Sequence, residues 1–179
     1  MIDIYLTRGK HRAESMTDMV FRAVYKKTAP ALIRNDRGKP YFKDKTKGHL
    51  SLSHSGDYTV LALSDAPVGI DIQRFCLKGN PLTMAKRFFA PEEARKIEET
   101  APEQRTRFFL DLWAKKEAAV KATGLGFEMM PSSFSVLDNQ LTLEGLSLSF
   151  IRVPVPAGYT AWLAASKDNL RVGAPVFIG

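Results

Sequence analysis

With a single cysteine, Cys76, in 179 residues, this chain can form neither an intramolecular disulfide nor a thiolate metal cage. It has no apolar run of signal-peptide or membrane-span length, and its opening stretch MIDIYLTRGK carries an acid at Asp3. The expectation is a cytoplasmic, reducing location with no membrane partner. Low-complexity segments, heptad runs and short-period repeats are missing too, which excludes solenoids and coiled coils. Bulk is not missing: at 45% hydrophobic and 25% charged, the chain is long enough to bury a core as one unit or as two small lobes. A net charge of +7 favours polyanionic company, whether nucleic acid, a phosphorylated cofactor or an acidic protein.

IDIYL reads as an opening strand, and His11 to Lys27 reads as an amphipathic helix with Met16, Met19, Val20, Ala23 and Val24 at helical spacing. Turn formers and lysines fill RNDRGKPYFKDKTKGH, after which LSLS, YTVLALS and VGIDIQ read as short strands. LTMAKRFFAPEEARKI contains Pro91 where one helix ends and the next begins, and a longer helix covers Phe108 to Lys121. Strands return with SFSVL, QLTLEG, LSLSFIRV and YTAWLAAS. Segregated helices and antiparallel strands make this an α+β chain rather than a doubly wound sheet. The likeness of its halves permits two similar lobes, residues 1–73 and 74–179.

Three stretches carry candidate chemistry. In VGIDIQ, strand alternation puts Val68, Ile70 and Ile72 on one face and Gly69, Asp71 and Gln73 on the other. Side chains two apart on a strand are about 6.5 Å apart, so Asp71 and Gln73 can converge on one hard cation; a solvated polar edge gives the same pattern. Gly69 hints at a close approach by backbone or ligand. In LSLSHSGDYTV, Ser53, His54 and Ser55 precede a turn and can meet an anion, although serine-rich turns are common. His54 points away from both serines, which makes a Ser/His nucleophilic pair a poor fit.

The third stretch is LWAKKEAAVK. On a helical wheel Phe108, Phe109, Leu112, Trp113, Ala119 and Val120 form an apolar side with Lys116 in its middle and Glu117 at its border. An unpaired buried ammonium is costly, so Lys116 either snorkels out of the stripe or faces an anion. Glu117 and Lys121 make an i,i+4 pair on the plain reading; on the functional one, Glu117 joins Asp71 at a metal while Lys116 and Lys121 face phosphate oxygens.

GKPYF (38–42), LSLSHSG (50–56), VGIDIQ (68–73) and LWAKKEAAVKATGLG (112–126) occur in the order and approximate spacing of the 4'-phosphopantetheinyl transferases, and the chain resembles the surfactin-synthetase-activating (Sfp) type. That resemblance implies two similar α+β lobes with the active site at their interface. It implies transfer of the phosphopantetheine arm of coenzyme A to a serine of an acidic apo acyl or peptidyl carrier protein, with release of adenosine 3',5'-bisphosphate and Mg²⁺ as cofactor. Carried over by motif, Asp71 and Glu117 are metal ligands with Gln73 beside them. Lys116 and Lys121 contact the pyrophosphate, and Arg12, Lys39, Ser53 and His54 hold coenzyme A. Glu117 is the candidate acceptor of the serine proton, and a monomer is expected.

Two departures accompany the likeness. By that likeness the chain is expected to lack residues before Lys10 that in family members often include basic side chains for the 3'-phosphate, and affinity for coenzyme A is then expected to rest on other groups. Gln73 stands where many members have Glu, and an amide oxygen is a weaker Mg²⁺ ligand than a carboxylate. The competing class is a basic nucleic-acid-binding domain without activity, suggested by the charge and by KPYFKDKTKGH; no recognised nucleic-acid motif accompanies it.

Overall fold

A computed structural model describes residues 1–126, 129–166 and 171–179. Strand β1 (Ile2–Arg8) pairs antiparallel with β5 (Tyr58–Ser64), which pairs with β4 (His49–Ser55); β10 (Val176–Phe177) adds in parallel on the far side of β1. A second sheet runs β6 (Val68–Arg74), β9 (Tyr159–Ser166), β8 (Leu146–Arg152) and β7 (Gln140–Leu143), all antiparallel. A small hairpin of β2 (Leu32–Arg34) and β3 (Pro40–Phe42) lies in the stretch expected to be a polar connection. Helix α1 (Ala13–Val20) runs on into a π-helical turn at Phe21–Tyr25, and α2 (Pro81–Phe88), α3 (Pro91–Glu99) and α4 (Pro102–Thr123) follow β6. The chain is α+β. Its sheets do not divide at residue 73: β6 belongs to the second sheet, and β10 returns to the first.

Alternation along the strands builds the layers. One face of β1 and β5 (Ile2, Ile4, Leu6, Val60, Ala62) meets one face of β6 and β9 (Val68, Ile70, Ile72, Leu163) in a shared core. The opposite face of the first sheet buries Tyr5, Leu61 and Leu63 against Met16 and Val20 of α1. On the second sheet, Leu148, Phe150 and Ala164 pack against α2, α3 and α4, with Phe89, Phe109 and Trp113 stacked among them.

Where strand β4, the edge of the first sheet, comes beside β6, the edge of the second, no backbone ladder forms between them. Serine hydroxyls join them instead: Ser51 Oγ accepts from Ile70 N–H at 3.0 Å and Ser55 Oγ from Arg74 N–H at 3.0 Å. Helix α4 closes over the other side of β6, and Gly69 is what lets it. A Cβ there would lie 1.9 Å from the Ala118 carbonyl oxygen and 2.5 Å from the Ala122 nitrogen, so the glycine serves a backbone approach. Gly69→Ala is expected to lower unfolding stability by about 3 kcal/mol, read by urea denaturation, because the helix axis must move to admit one methyl group.

One expected strand is not there. SFSVL, Ser133 to Leu137, begins at the last residue of a 3-10 turn at Pro131–Ser133 and pairs with no strand among the described residues. Its backbone groups are taken by side chains: Val136 N–H donates to Glu93, the Phe134 carbonyl accepts from Lys116, and the Val136 carbonyl accepts from Lys115. Those side-chain contacts occupy the groups that alternate along one edge of the segment.

Candidate active site

The polar face of β6 points at α4, as alternation requires. Asp71 is 2% exposed and both of its oxygens accept hydrogen bonds: Oδ1 receives Ser53 Oγ at 2.6 Å and Lys121 Nζ at 2.6 Å, while Oδ2 receives Gln73 Nε2 at 2.8 Å. Ser53 therefore touches Asp71 rather than lining either cavity described below. Gln73 lies on the same side as Asp71 and turns its amide N–H groups toward that carboxylate. Lys121 bridges further to the Ile70 carbonyl at 3.3 Å. Its own carbonyl, near the C-terminus of α4, accepts from Lys39 Nζ at 2.5 Å. Burial holds the Lys39 ammonium below the ordinary lysine range.

Glu117 stands one turn before Lys121 and opens with it into a largely apolar cavity of ≈ 480 Å³, walled also by Lys39, Phe88 and Met129. Burial raises the Glu117 carboxyl above the usual glutamate value, the Asp71 charge raises it further, and Lys121 opposes both. A ¹³C titration of the metal-free protein should place the Glu117 midpoint above 4.5, the ordinary value. The two carboxylates supply hard oxygen donors, which suits a small divalent cation. Among the described residues no group of three or more His, Cys, Asp or Glu is arranged to hold a metal. The protein would thus contribute Asp71 and Glu117, with other oxygens coming from ligand and water.

A second cavity, ≈ 400 Å³, adjoins the first across Pro40 and Leu52, which line both. Arg12 and His54 lie in its wall together with Lys10, His11 and Arg34. Arg34 is held in place by Glu14 at 2.8 Å. Burial, Lys10 and Lys121 keep the His54 imidazole below its usual value, and Asp71 partly counters them. The sequence reading missed Lys10, His11 and Arg34 here. Their signal was only a basic run at the end of β1 and one arginine on an unforeseen hairpin.

Lys116 is a correction. It does not open to either cavity: the residue is 1% exposed, and its ammonium is ion-paired to Glu93 at 2.7 Å and donates to the Pro131 carbonyl at 2.7 Å and to that of Phe134. Glu93, fully buried, also accepts from Ala90 N–H at 3.0 Å and from Val136 N–H at 2.8 Å. The ammonium lies over the Phe134 and Phe89 rings, and burial pushes its pKa down against the pull of Glu93. The break in the apolar stripe is thus an internal anchor for the 131–136 segment. Neighbouring Lys115 does the same one step round the helix, donating to the Val136 carbonyl and to Asn139 at 3.0 Å, over the Trp162 ring.

The family model of the 4'-phosphopantetheinyl transferase superfamily matches residues 67–163, which span β6 through most of β9 and include Asp71, Glu117 and Lys121. This chain belongs to that superfamily. It is 39% identical over 99 residues to a 4'-phosphopantetheinyl transferase of Bacillus subtilis, covering 55% of this chain and 43% of the relative. To 4'-phosphopantetheinyl transferase Sfp of Bacillus subtilis (strain 168) it is 36% identical over 110 residues, 60% of this chain and 48% of that protein. To 4'-phosphopantetheinyl transferase AcpT of Salmonella typhi it is 32% identical over 157 residues, 83% and 80% of the two chains. The aligned region thus spans about half the length of the Bacillus relatives and most of the Salmonella one. The Sfp-type likeness read from four short motifs agrees with these matches, and no helix among the described residues is long and apolar enough to cross a membrane.

Proposed function

We propose that this protein transfers the 4'-phosphopantetheine group of coenzyme A to a serine hydroxyl of an acidic apo carrier protein, acyl or peptidyl, with Mg²⁺ as cofactor. One observation carries the reading: a basic cavity and an apolar cavity share Pro40 and Leu52 in their walls, and Glu117 and Lys121 line the apolar one, with the Asp71 carboxylate held on Lys121. Coenzyme A has the same division, a phosphorylated nucleotide and a slender arm joined by a diphosphate. On this reading Arg12 and His54, helped by Lys10 and Arg34, receive the nucleotide phosphate, and Lys39 and Lys121 face the diphosphate. The arm lies along Phe88 and Met129.

The transfer forms a bond from the carrier's serine oxygen to the arm-side phosphorus and breaks that phosphorus's bond to the bridging oxygen. Adenosine 3',5'-bisphosphate leaves, and Glu117 takes the serine proton; burial and the Asp71 charge raise its affinity for a proton above that of an ordinary glutamate. Lys121 and Lys39 offset negative charge on the phosphate oxygens, which supplies most of what phosphoryl-type transfer needs. Held by Asp71 and Glu117, Mg²⁺ would add further neutralisation of the diphosphate. Gln73 steadies Asp71 from the side.

Gln73→Glu tests whether residue 73 also reaches the metal. It replaces an N–H donor beside Asp71 Oδ2 with a second carboxylate, so the Mg²⁺ concentration for half-maximal activity should fall at saturating coenzyme A. An unchanged midpoint would separate residue 73 from the metal. The whole reading is tested by incubating the protein with coenzyme A, Mg²⁺ and a panel of apo carrier proteins, and weighing the carriers intact. The expected result is the phosphopantetheine mass increment on at least one carrier. Folded protein that modifies none of them overturns the proposal.

A further inference from the structure

A third cavity, ≈ 490 Å³, shares no wall residue with the two above. It lies where the chain turns from β8 to β9 through VPVPAG, 153–158, with Arg107 of α4 and Phe75, just past β6, completing its wall. Its volume falls within the range of small-molecule sites, roughly 300–1,000 Å³. Much of the wall is set before anything binds. Pro154 and Pro156 hold their φ angles in their rings, and the Gly158 carbonyl is tied to Phe75 N–H at 2.8 Å. Arg107 precedes Glu117 on α4 by about 15 Å of helix axis, so this cavity is apart from the carboxylates of the candidate active site.

Its wall holds two arginines, Arg107 and Arg152, and no Asp or Glu. Arg107 is exposed, lies 5.0 Å from the centre of the Phe75 ring, and has no carboxylate partner among the described residues. A guanidinium stacked on a ring uses its flat face and keeps the N–H fork at its edge for an oxyanion. Arg152 reaches Asp111, but at 3.4 Å, and the same Asp111 oxygen accepts from the Thr160 hydroxyl and from Trp162 Nε1 at 3.2 Å. Arg152 is thus loosely held and can turn to a second acceptor. Asp111 stands one helical turn after Arg107, so it cancels one of the two positive charges and leaves a single one to be met. That balance suits a monoanion better than a phosphate dianion. Phe75, Val153, Val155 and the two prolines add carbon surface, and the Tyr159 hydroxyl is already engaged by Asp57 N–H at 3.0 Å.

We infer that this cavity is a second ligand site, for a small carboxylate with a hydrocarbon or aromatic body. The carboxylate meets the forks of Arg107 and Arg152, and the body lies against Phe75 and the prolines. The inference does not rest on the coenzyme A reading, because no residue of that site takes part in it.

The test is titration of the ¹⁵N-labelled protein with phenylacetate, octanoate, the neutral phenylacetamide and inorganic phosphate. The Trp162 indole N–H, bonded to Asp111 beside Arg152, serves as the local reporter. At least one of the two carboxylates should shift that resonance with a Kd of about 1 mM or lower. Phenylacetamide and phosphate should bind about tenfold more weakly or worse, as should the carboxylate in Arg107→Met and in Arg152→Gln, since each change removes a charge-assisted contact. Both arginines are exposed, and a cooperative thermal transition checks each fold; should one variant fail that check, the other decides. No shift with either carboxylate in the millimolar range, phosphate or phenylacetamide binding as tightly as the carboxylates, or unchanged affinity in the folded variants overturns the inference. Silence toward both carboxylates together with a raised KM for a carrier protein in Arg107→Met also overturns it, and makes the cavity a contact for acidic side chains of that partner instead.

Discussion

Lys116→Met is expected to lower unfolding stability by about 3–5 kcal/mol, the range for breaking a buried ion pair by removing one partner. The methionine fills the volume, but it leaves the Glu93 carboxylate, 0% exposed, with only the Ala90 and Val136 N–H groups, and it strips the Pro131 and Phe134 carbonyls of their donor. Had the lysine merely snorkelled from an apolar stripe, the same substitution would be neutral or stabilising. Urea denaturation of Lys116→Met and of the double variant Lys116→Met/Glu93→Leu separates the two cases. The double variant should recover much of the loss, since an apolar pair of similar volume has no uncompensated charge. A single variant as stable as wild type would show that Glu93 does not depend on Lys116.

Glu117→Gln is expected to cut turnover by roughly 10²- to 10⁴-fold, the range for losing a positioned proton acceptor. The amide keeps the size of the side chain and cannot take a proton. The fold should survive, because Glu117 is only partly buried on the cavity wall and no side-chain partner among the described residues fixes it in the core. The rate of carrier modification, followed by intact mass at saturating coenzyme A and Mg²⁺, measures the effect. Turnover within a few-fold of wild type would remove Glu117 from the chemistry.

Much of the architecture was legible because it rests on period. Alternation in VGIDIQ assigned Asp71 and Gln73 to one face and the three aliphatic residues to the other, and the observed core contains Val68, Ile70 and Ile72. Pro91 marked a helix boundary, and α2 and α3 do divide there. What escaped were features set by long-range partners. SFSVL alternates like a strand, yet Glu93, Lys115 and Lys116, distant in sequence or on another element, claim its backbone groups. The same distance hid the partner of Lys116: a wheel shows that a lysine sits in an apolar stripe but not that a glutamate on α3 meets it. Strands β2 and β3 were concealed by lysines and turn formers, and their placement brings Arg34 and Pro40 to the cavities. Ser53 was read as an anion contact because serines near a turn suggest one; the sheet edge that turns it onto Asp71 has no local signal.

The serines of β4 also act as a key. Ser51, Ser53 and Ser55 recur every second residue and engage Ile70, Asp71 and Arg74 of β6, whereas the intervening positions hold Leu50, Leu52 and His54. If β4 slid along β6 by a single residue, the hydroxyls would be replaced at the join by two leucines and an imidazole. The N–H groups of Ile70 and Arg74 would then lose their acceptors, and Asp71 one of its donors. The join therefore has one allowed setting with graded marks two residues apart, like a vernier scale. That setting fixes how far His54, on the opposite face of β4, stands from Asp71 across the strand, and so the span between the basic cavity and the carboxylates. A ligand that bridges the two is measured against a ruler made of three hydroxyl groups.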